Sequence, residues 1–120
     1  MAPDDTMNVV HTVASTQADH GGPSRSVPLL CEALADQGVS VGLVTTVPEE
    51  GLEAAILPGE KVSTRTVAET GRLRSLLRSP LAFYRTLQSA VKEDPPDLFH
   101  DHGLWLPSNA AAALVSRRQG

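Results

Sequence analysis

The apolar positions of this chain fall in short blocks whose spacing switches between two periods. Residues 8–14, NVVHTVA, are continuous, β-branched and ended by polar residues, which predicts a buried strand. Residues 15–22, STQADHGG, are turn formers and predict a loop. Pro23 suits a first helical turn, and Val27, Leu30, Cys31 and Leu34 then recur at helical spacing to give one apolar face. Gly38 follows as a helix C-cap. Residues 39–45, VSVGLVT, predict a second strand, and the intervening helix makes the two strands parallel with a right-handed crossover.

Beyond a loop rich in Pro, Gly and Glu (46–60), residues 61–67, KVSTRTV, alternate polar and β-branched side chains and predict an outer strand. Ser79 as N-cap and Pro80 as first helical residue open another helix. Phe83, Leu87, Ala90 and Val91 line one side of it, and Pro95-Pro96 ends it. DLFHDH (97–102) predicts a further short strand. Ser108 or Asn109 then starts a last helix, whose final turn carries Arg117 and Arg118 where they suit the dipole. This order predicts an α/β protein with an open, mostly parallel, Rossmann-like sheet flanked by helices. Ligands of such sheets bind at the carboxyl ends of the strands, which marks segments 15–25 and 100–107.

The length of 120 residues predicts one domain spanning 1–120, and 41% hydrophobic with 20% charged residues fits a soluble globular chain. Aromatics make up only 3%, so Leu, Val and Ala must fill the core. The net charge of −4 argues against a nucleic-acid partner. No apolar run reaches the length of a membrane span, and the acidic start MAPDDT lacks the features of a secretory signal. The lone Cys31 excludes an internal disulfide and a cysteine zinc cage; the expected location is the cytoplasm, extending to the inner face of the membrane. On the helix's apolar face and without a basic neighbour, Cys31 reads as packing rather than as a nucleophile.

Charge is unevenly spread: residues 1–60 hold nine acidic groups and one basic, residues 61–92 seven basic and one acidic. The stretch 72–87 sets Arg72, Arg74, Arg78 and Arg85 among leucines and two aromatics. Such a stretch can lie on an anionic membrane surface or attract anionic or lipid-linked acceptors. A core helix with a solvated basic face is the plainer reading.

Two clusters carry candidate chemistry. In His20-Gly21-Gly22-Pro23-Ser24-Arg25 the glycines let backbone approach a ligand closely, and the helix that follows aims free N–H groups at the same spot. Arg25 in a first helical turn opposes the dipole, so anion binding explains it better than helix stability does. A tight turn with a solvated arginine is the bland alternative. The pattern is neither GxGxxG nor a Walker loop. In His100-Asp101-His102-Gly103-Leu104-Trp105, His100 and His102 share one face of a strand. Three ionisable groups at the end of a buried strand are costly unless they have work to do. Three readings stand: core histidines bonded to backbone, recognition of a hydroxyl-rich substrate, or a metal site of the two histidines with Asp101, to which His20 of the other loop could add. Trp105 could offer a flat apolar face or pack in the core.

The run GGPSRSVPLLCEALADQGVSVGLVTT after the strand VVHTVA resembles the opening of glycosyltransferase family 4 enzymes. PDLFHDHGLWLPSNAAAALVSRRQG resembles a later stretch of the same N-terminal lobe, with Asp-x-x-His-x-His-Gly at a strand end. The resemblance covers nearly the whole chain and is weakest over 46–75. It implies the GT-B architecture of two Rossmann-like lobes, and transfer of a sugar from a nucleotide-sugar donor to a glycan or lipid-linked acceptor in polysaccharide or glycoconjugate synthesis. It also implies no bound metal and no other cofactor. Carried over, Gly21 and Gly22 pack against the donor diphosphate, with Ser24 and Arg25 beside it. His102 touches the transferred sugar as the catalytic residue. His100 is its more structural neighbour, and Pro107, Ser108 and Asn109 lie on the acceptor side. The family's second lobe has no counterpart here, so the expectation is an N-terminal fragment, by truncation or an incomplete gene, that is inactive alone. Two alternatives are a non-catalytic module that binds a phosphorylated ligand and a histidine-based metal protein.

Overall fold

The computed structural model describes residues 6–15, 22–48, 56–69, 78–102 and 107–118. They form β1 (Asn8–Ser15), α1 (Gly22–Asp36), β2 (Ser40–Pro48), β3 (Ser63–Glu69), α2 (Arg78–Glu93), β4 (Leu98–His102) and α3 (Pro107–Arg118). The strands make one sheet in the order β3-β2-β1-β4, and every neighbouring pair is parallel. The chain therefore adopts the α/β, Rossmann-like class that its pattern predicts.

Each element departs from expectation mainly at its ends. β2 runs three residues further than predicted, to Pro48, because β3 pairs with it as far as Glu69. α2 begins at Arg78, so Ser79 and Pro80 both lie inside its first turn and Ser79 is not the N-cap. α3 begins at Pro107, where proline's fixed φ and missing N–H cost nothing. α1 begins at Gly22 and accommodates Pro28 within it. The end of α1 is a Schellman motif. Gly38 takes φ +89°, its N–H reaches the Ala35 carbonyl at 3.0 Å, and the Val39 N–H reaches the Leu34 carbonyl at 3.1 Å.

Side chains of the sheet alternate between two covered faces. On one, Val13, Val41 and Leu43 pack with Val27 and Cys31 of α1, and with Leu34, Ala35 and Val39. Leu30 is not part of that face: it is 39% exposed, and Cys31, fully buried, holds the position next to the sheet. On the other face Val10, Val44 and Val67 meet Phe83, Leu87 and Val91 of α2 and Ala112 and Val115 of α3. The apolar side of α2 read from the sequence is thus spent on this core.

β4 is an edge strand, partly exposed throughout, and Leu98 is 53% exposed. Asn8 sets its register. The Asn8 backbone N–H donates to Asp97 Oδ2 at 2.8 Å, the Asp97 N–H donates back to the Asn8 carbonyl at 2.7 Å, and the Asn8 amide donates to the Pro95 carbonyl at 2.9 Å. These bonds pin the turn before β4 to the start of β1. Every later residue of the two strands is therefore placed opposite a fixed partner.

Candidate functional site

β1 and β4 are adjacent and parallel, so both end on the same edge of the sheet. α1 follows β1 and α3 follows β4, which puts the N-terminal turns of both helices on that edge. Their free backbone N–H groups and partial positive charge favour an anion there.

Register then decides which side chains meet. His11 of β1 lies opposite His100 of β4, and Val13 opposite His102. Side chains of a strand alternate, so His11, His100 and His102 share the α1 face of the sheet. Their rings pack as a trio: His102 stacks on His100 with centroids 4.0 Å apart and on His11 at 5.2 Å, while His100 is tilted by 39° against His11 at 5.2 Å. His11 Nδ1 and His102 Nε2 share a hydrogen bond of 2.9 Å. One of the two nitrogens carries the proton and the other accepts it. The bond orients His102 and leaves its Nδ1 as the nitrogen not engaged by His11.

Two of the three rings, His11 and His102, hold a proton less readily than a free imidazole. Burial, reinforced by His102 and His100, lowers the His11 pKa to about 4. Burial also lowers that of His102, with His100 adding to the shift and Asp101 opposing it. A charged imidazole would lose water and gain a like-charged neighbour. His11 is 2% exposed, and its Nε2 is buried with no hydrogen-bond partner among the described residues.

Asp101 points to the opposite face, where Thr12 Oγ1 donates to its Oδ1 at 2.7 Å. Two sequence readings are corrected here. Among the described residues the strand of His100, Asp101 and His102 lies at the edge of the sheet and is partly exposed, so solvent meets part of the cost of its charges. Asp101 also cannot join a metal set with His100 and His102, because strand alternation turns it to the α2–α3 side. The fully buried Thr12 makes its bond to Asp101 a structural one. Thr12→Val, which keeps the shape and removes the donor, is expected to cost about 1–2 kcal/mol in urea unfolding.

The trio contains a residue that the sequence reading passed over. His11 sits inside an apolar β-branched run and read as strand filler. The available signal was its chemistry: one histidine among valines on a central strand must find a polar partner.

Of the remaining candidates, Gly22 is exposed at the start of α1, and a Cβ built there meets no atom within 4 Å. Among the described residues nothing fills the space beside Gly22. Ser24 is 1% exposed, so its side chain faces the packed side of the first turn, whereas Arg25 is exposed. Asn109, with Pro107 and Ser108, falls in the first turn of α3, and its side chain lies outside the described residues. His20, Gly21, Trp105, Arg72 and Arg74 also lie outside them. In α2, Arg85 is exposed. Cys31 is fully buried and its thiol is pushed up to about 11, chiefly by burial, which keeps it protonated and packed. Among the described residues no helix is long and apolar enough to cross a membrane.

A second groove, lined by Asn8, Gly42, Ser63, Arg65, Glu93 and Asp94, lies at the opposite end of the sheet from the histidines. Arg65 and Glu93 pair with each other across it, which leaves no convergent set of groups for a ligand.

Compared with known families, the chain matches the one described as glycosyl transferase 4-like domain over residues 21–120. The comparison with curated proteins found no match.

Proposed function

The chain belongs to the glycosyl transferase 4-like family, and from that premise we propose that it forms the acceptor-side lobe of an enzyme moving a sugar from a nucleotide-sugar donor to a glycan or lipid-linked acceptor. The observation that carries the reading is the common edge of β1 and β4. It sets the first turn of α1, with Gly22 and Arg25, at the same end of the sheet as His100 and His102.

Transfer of a sugar builds negative charge on the departing diphosphate and positive charge on the sugar ring. The α1 N-terminus and Arg25 supply fixed positive potential for the diphosphate, arranged before the reaction begins. The open space at Gly22 admits the phosphate oxygens to backbone N–H groups. His102 meets the sugar with its Nδ1, the ring nitrogen that His11 does not engage, while His11 holds the ring from behind at 2.9 Å. A neutral imidazole suits this role, because it can donate to or accept from a sugar hydroxyl without opposing the charge that develops on the ring. The first turn of α3, with Asn109, faces the acceptor.

The test has two arms. Titrating the chain with a nucleotide sugar should shift backbone amide NMR signals at the start of α1 and the end of β4 together. Shifts confined to one of the two, or to neither, count against a shared site. In the chain joined to a second lobe, His102→Ala should lower kcat roughly 100-fold with nucleotide affinity nearly unchanged. Equal loss of both would reduce His102 to a structural role. A shift at both sites in a chain that never turns over would point to the non-catalytic module instead.

A further inference from the structure

We propose that the outer surface of α2 and α3 docks on an anionic phospholipid membrane. Both helices cover the same face of the sheet, through Phe83, Leu87 and Val91 of α2 and Ala112 and Val115 of α3. Their opposite sides therefore point outward together. Arg118 joins the two helices. Its Nη1 donates to the Tyr84 hydroxyl at 2.7 Å, and its guanidinium carbon lies 5.9 Å from the centre of the Tyr84 ring. The outward side of α2 presents Leu81, Arg85 and Lys92, and that of α3 presents Leu114, Arg117 and Arg118, all of them exposed.

Charge decides the partner. The two helices together contain one carboxylate, that of Glu93, and it pairs with Arg65 of β3. Among the described residues no carboxylate pairs with Arg85, Lys92 or Arg117. On the opposite face of the sheet, α1 and the segment before β3 set Glu32, Asp36 and Glu60 against Arg25 and Lys61, and Lys61 is already paired with Asp36. The sheet thus separates a basic side from an acidic one in a chain of net charge −4. An anionic plane attracts the first and repels the second, which orients the molecule on it. The apolar content of the surface favours lipid over a free polyanion. Leu81, 49% exposed, stands one turn before Arg85, and Leu114, 54% exposed, one turn before Arg118. A membrane interface takes both kinds of side chain at once, the leucines at the acyl boundary and the cationic heads among the phosphates. The opposite side of α2 is spent on the core, so the helix lies on the surface and does not sink into it.

The inference needs only this surface and stands apart from the sugar-transfer reading. The chain is mixed with vesicles of phosphatidylcholine alone, or of phosphatidylcholine with about one-third phosphatidylglycerol, and the bound fraction is read by sedimentation. Binding should be at least about tenfold tighter on the anionic vesicles, and raising sodium chloride from about 50 to about 500 mM should remove most of that preference. Arg117→Glu and Lys61→Glu make the same change of net charge on opposite faces of the sheet. Arg117→Glu should weaken binding to the anionic vesicles roughly tenfold, and Arg85→Glu with Arg117→Glu roughly 100-fold, whereas Lys61→Glu should leave it within about twofold. Equal binding to the two kinds of vesicle overturns the proposal. Equal losses for Arg117→Glu and Lys61→Glu also overturn it, since net charge and not this surface would be the cause. So does binding to a DNA duplex as tight as to the anionic vesicles, since the surface would then serve any polyanion. Urea midpoints check that the variants fold; should one not, the comparison of vesicles and salts on the native chain decides alone.

Discussion

Phe83→Ala is expected to lower the unfolding free energy by roughly 3–5 kcal/mol, the usual range for deleting a buried aromatic ring. Phe83 is the largest fully buried side chain of the described residues, at 1% exposure. It stands where α2 meets the sheet valines Val10, Val44 and Val67 and the α3 residues Ala112 and Val115. Tyr84 and Phe99 pack against the same cluster, but they already fill positions of their own beside it. With total stabilities of about 5–15 kcal/mol for domains of this kind, the variant should melt some 10–20 °C lower. Leu81→Ala on the same helix is the control. Leu81 is 49% exposed, and its loss should cost under about 1 kcal/mol. Urea unfolding of the two variants side by side checks the prediction; similar losses would mean that α2 does not dock as described.

Acid should destabilise the fold through His11. The unfolded chain takes up a proton at this residue near pH 6.5, whereas the folded chain resists until about pH 4. The His11 contribution is therefore complete above pH 6.5. It is lost as the pH falls from there to about 4 and does not change further below. A shift of this size corresponds to about 3 kcal/mol. His102, lowered in the same direction, adds to the loss. His100 and His102 are the titratable rings packed against His11, and a proton on either discourages one on His11. Urea midpoints measured from pH 7.5 to 4 with a chelator present should fall steeply for the native chain. They should fall much less for His11→Gln, which carries no titrating ring. Parallel curves for the two proteins would remove His11 as the cause.

The two predictions sample different kinds of information. The Phe83 side of α2 was legible in the sequence because an amphipathic helix writes its buried face as a period of 3.6. Phe83, Leu87 and Val91 could be named as its core from spacing alone. Leu30 misled for a related reason. Its spacing placed it at the margin of the α1 face, and only the docking angle of the helix decides on which side of the margin a residue falls. The Schellman end at Gly38 was readable because a single residue type tolerates that backbone angle.

The histidine trio was half legible. The i, i+2 spacing of His100 and His102 put them on one face from sequence alone, and the turn-rich segment before α1 marked the edge where we propose that the diphosphate binds. His11 was not attached to them, since it lies 89 residues from His100 along the chain. The exposure of β4 was equally hidden, because a strand at the edge of a sheet and one at its centre can carry the same residues.

Alone, the amino-acid order determined the parallel α/β layering, the helix faces and the family, since each is written in local periodicity or in contiguous motifs. The tertiary structure decided the company each side chain keeps: Asp101 with Thr12 on one face, His11 with His100 and His102 on the other. That assignment follows from strand register, which is set by a few bonds from Asn8 to the turn before β4. A shift of one residue would exchange the two faces, and no local pattern records which register the chain adopts.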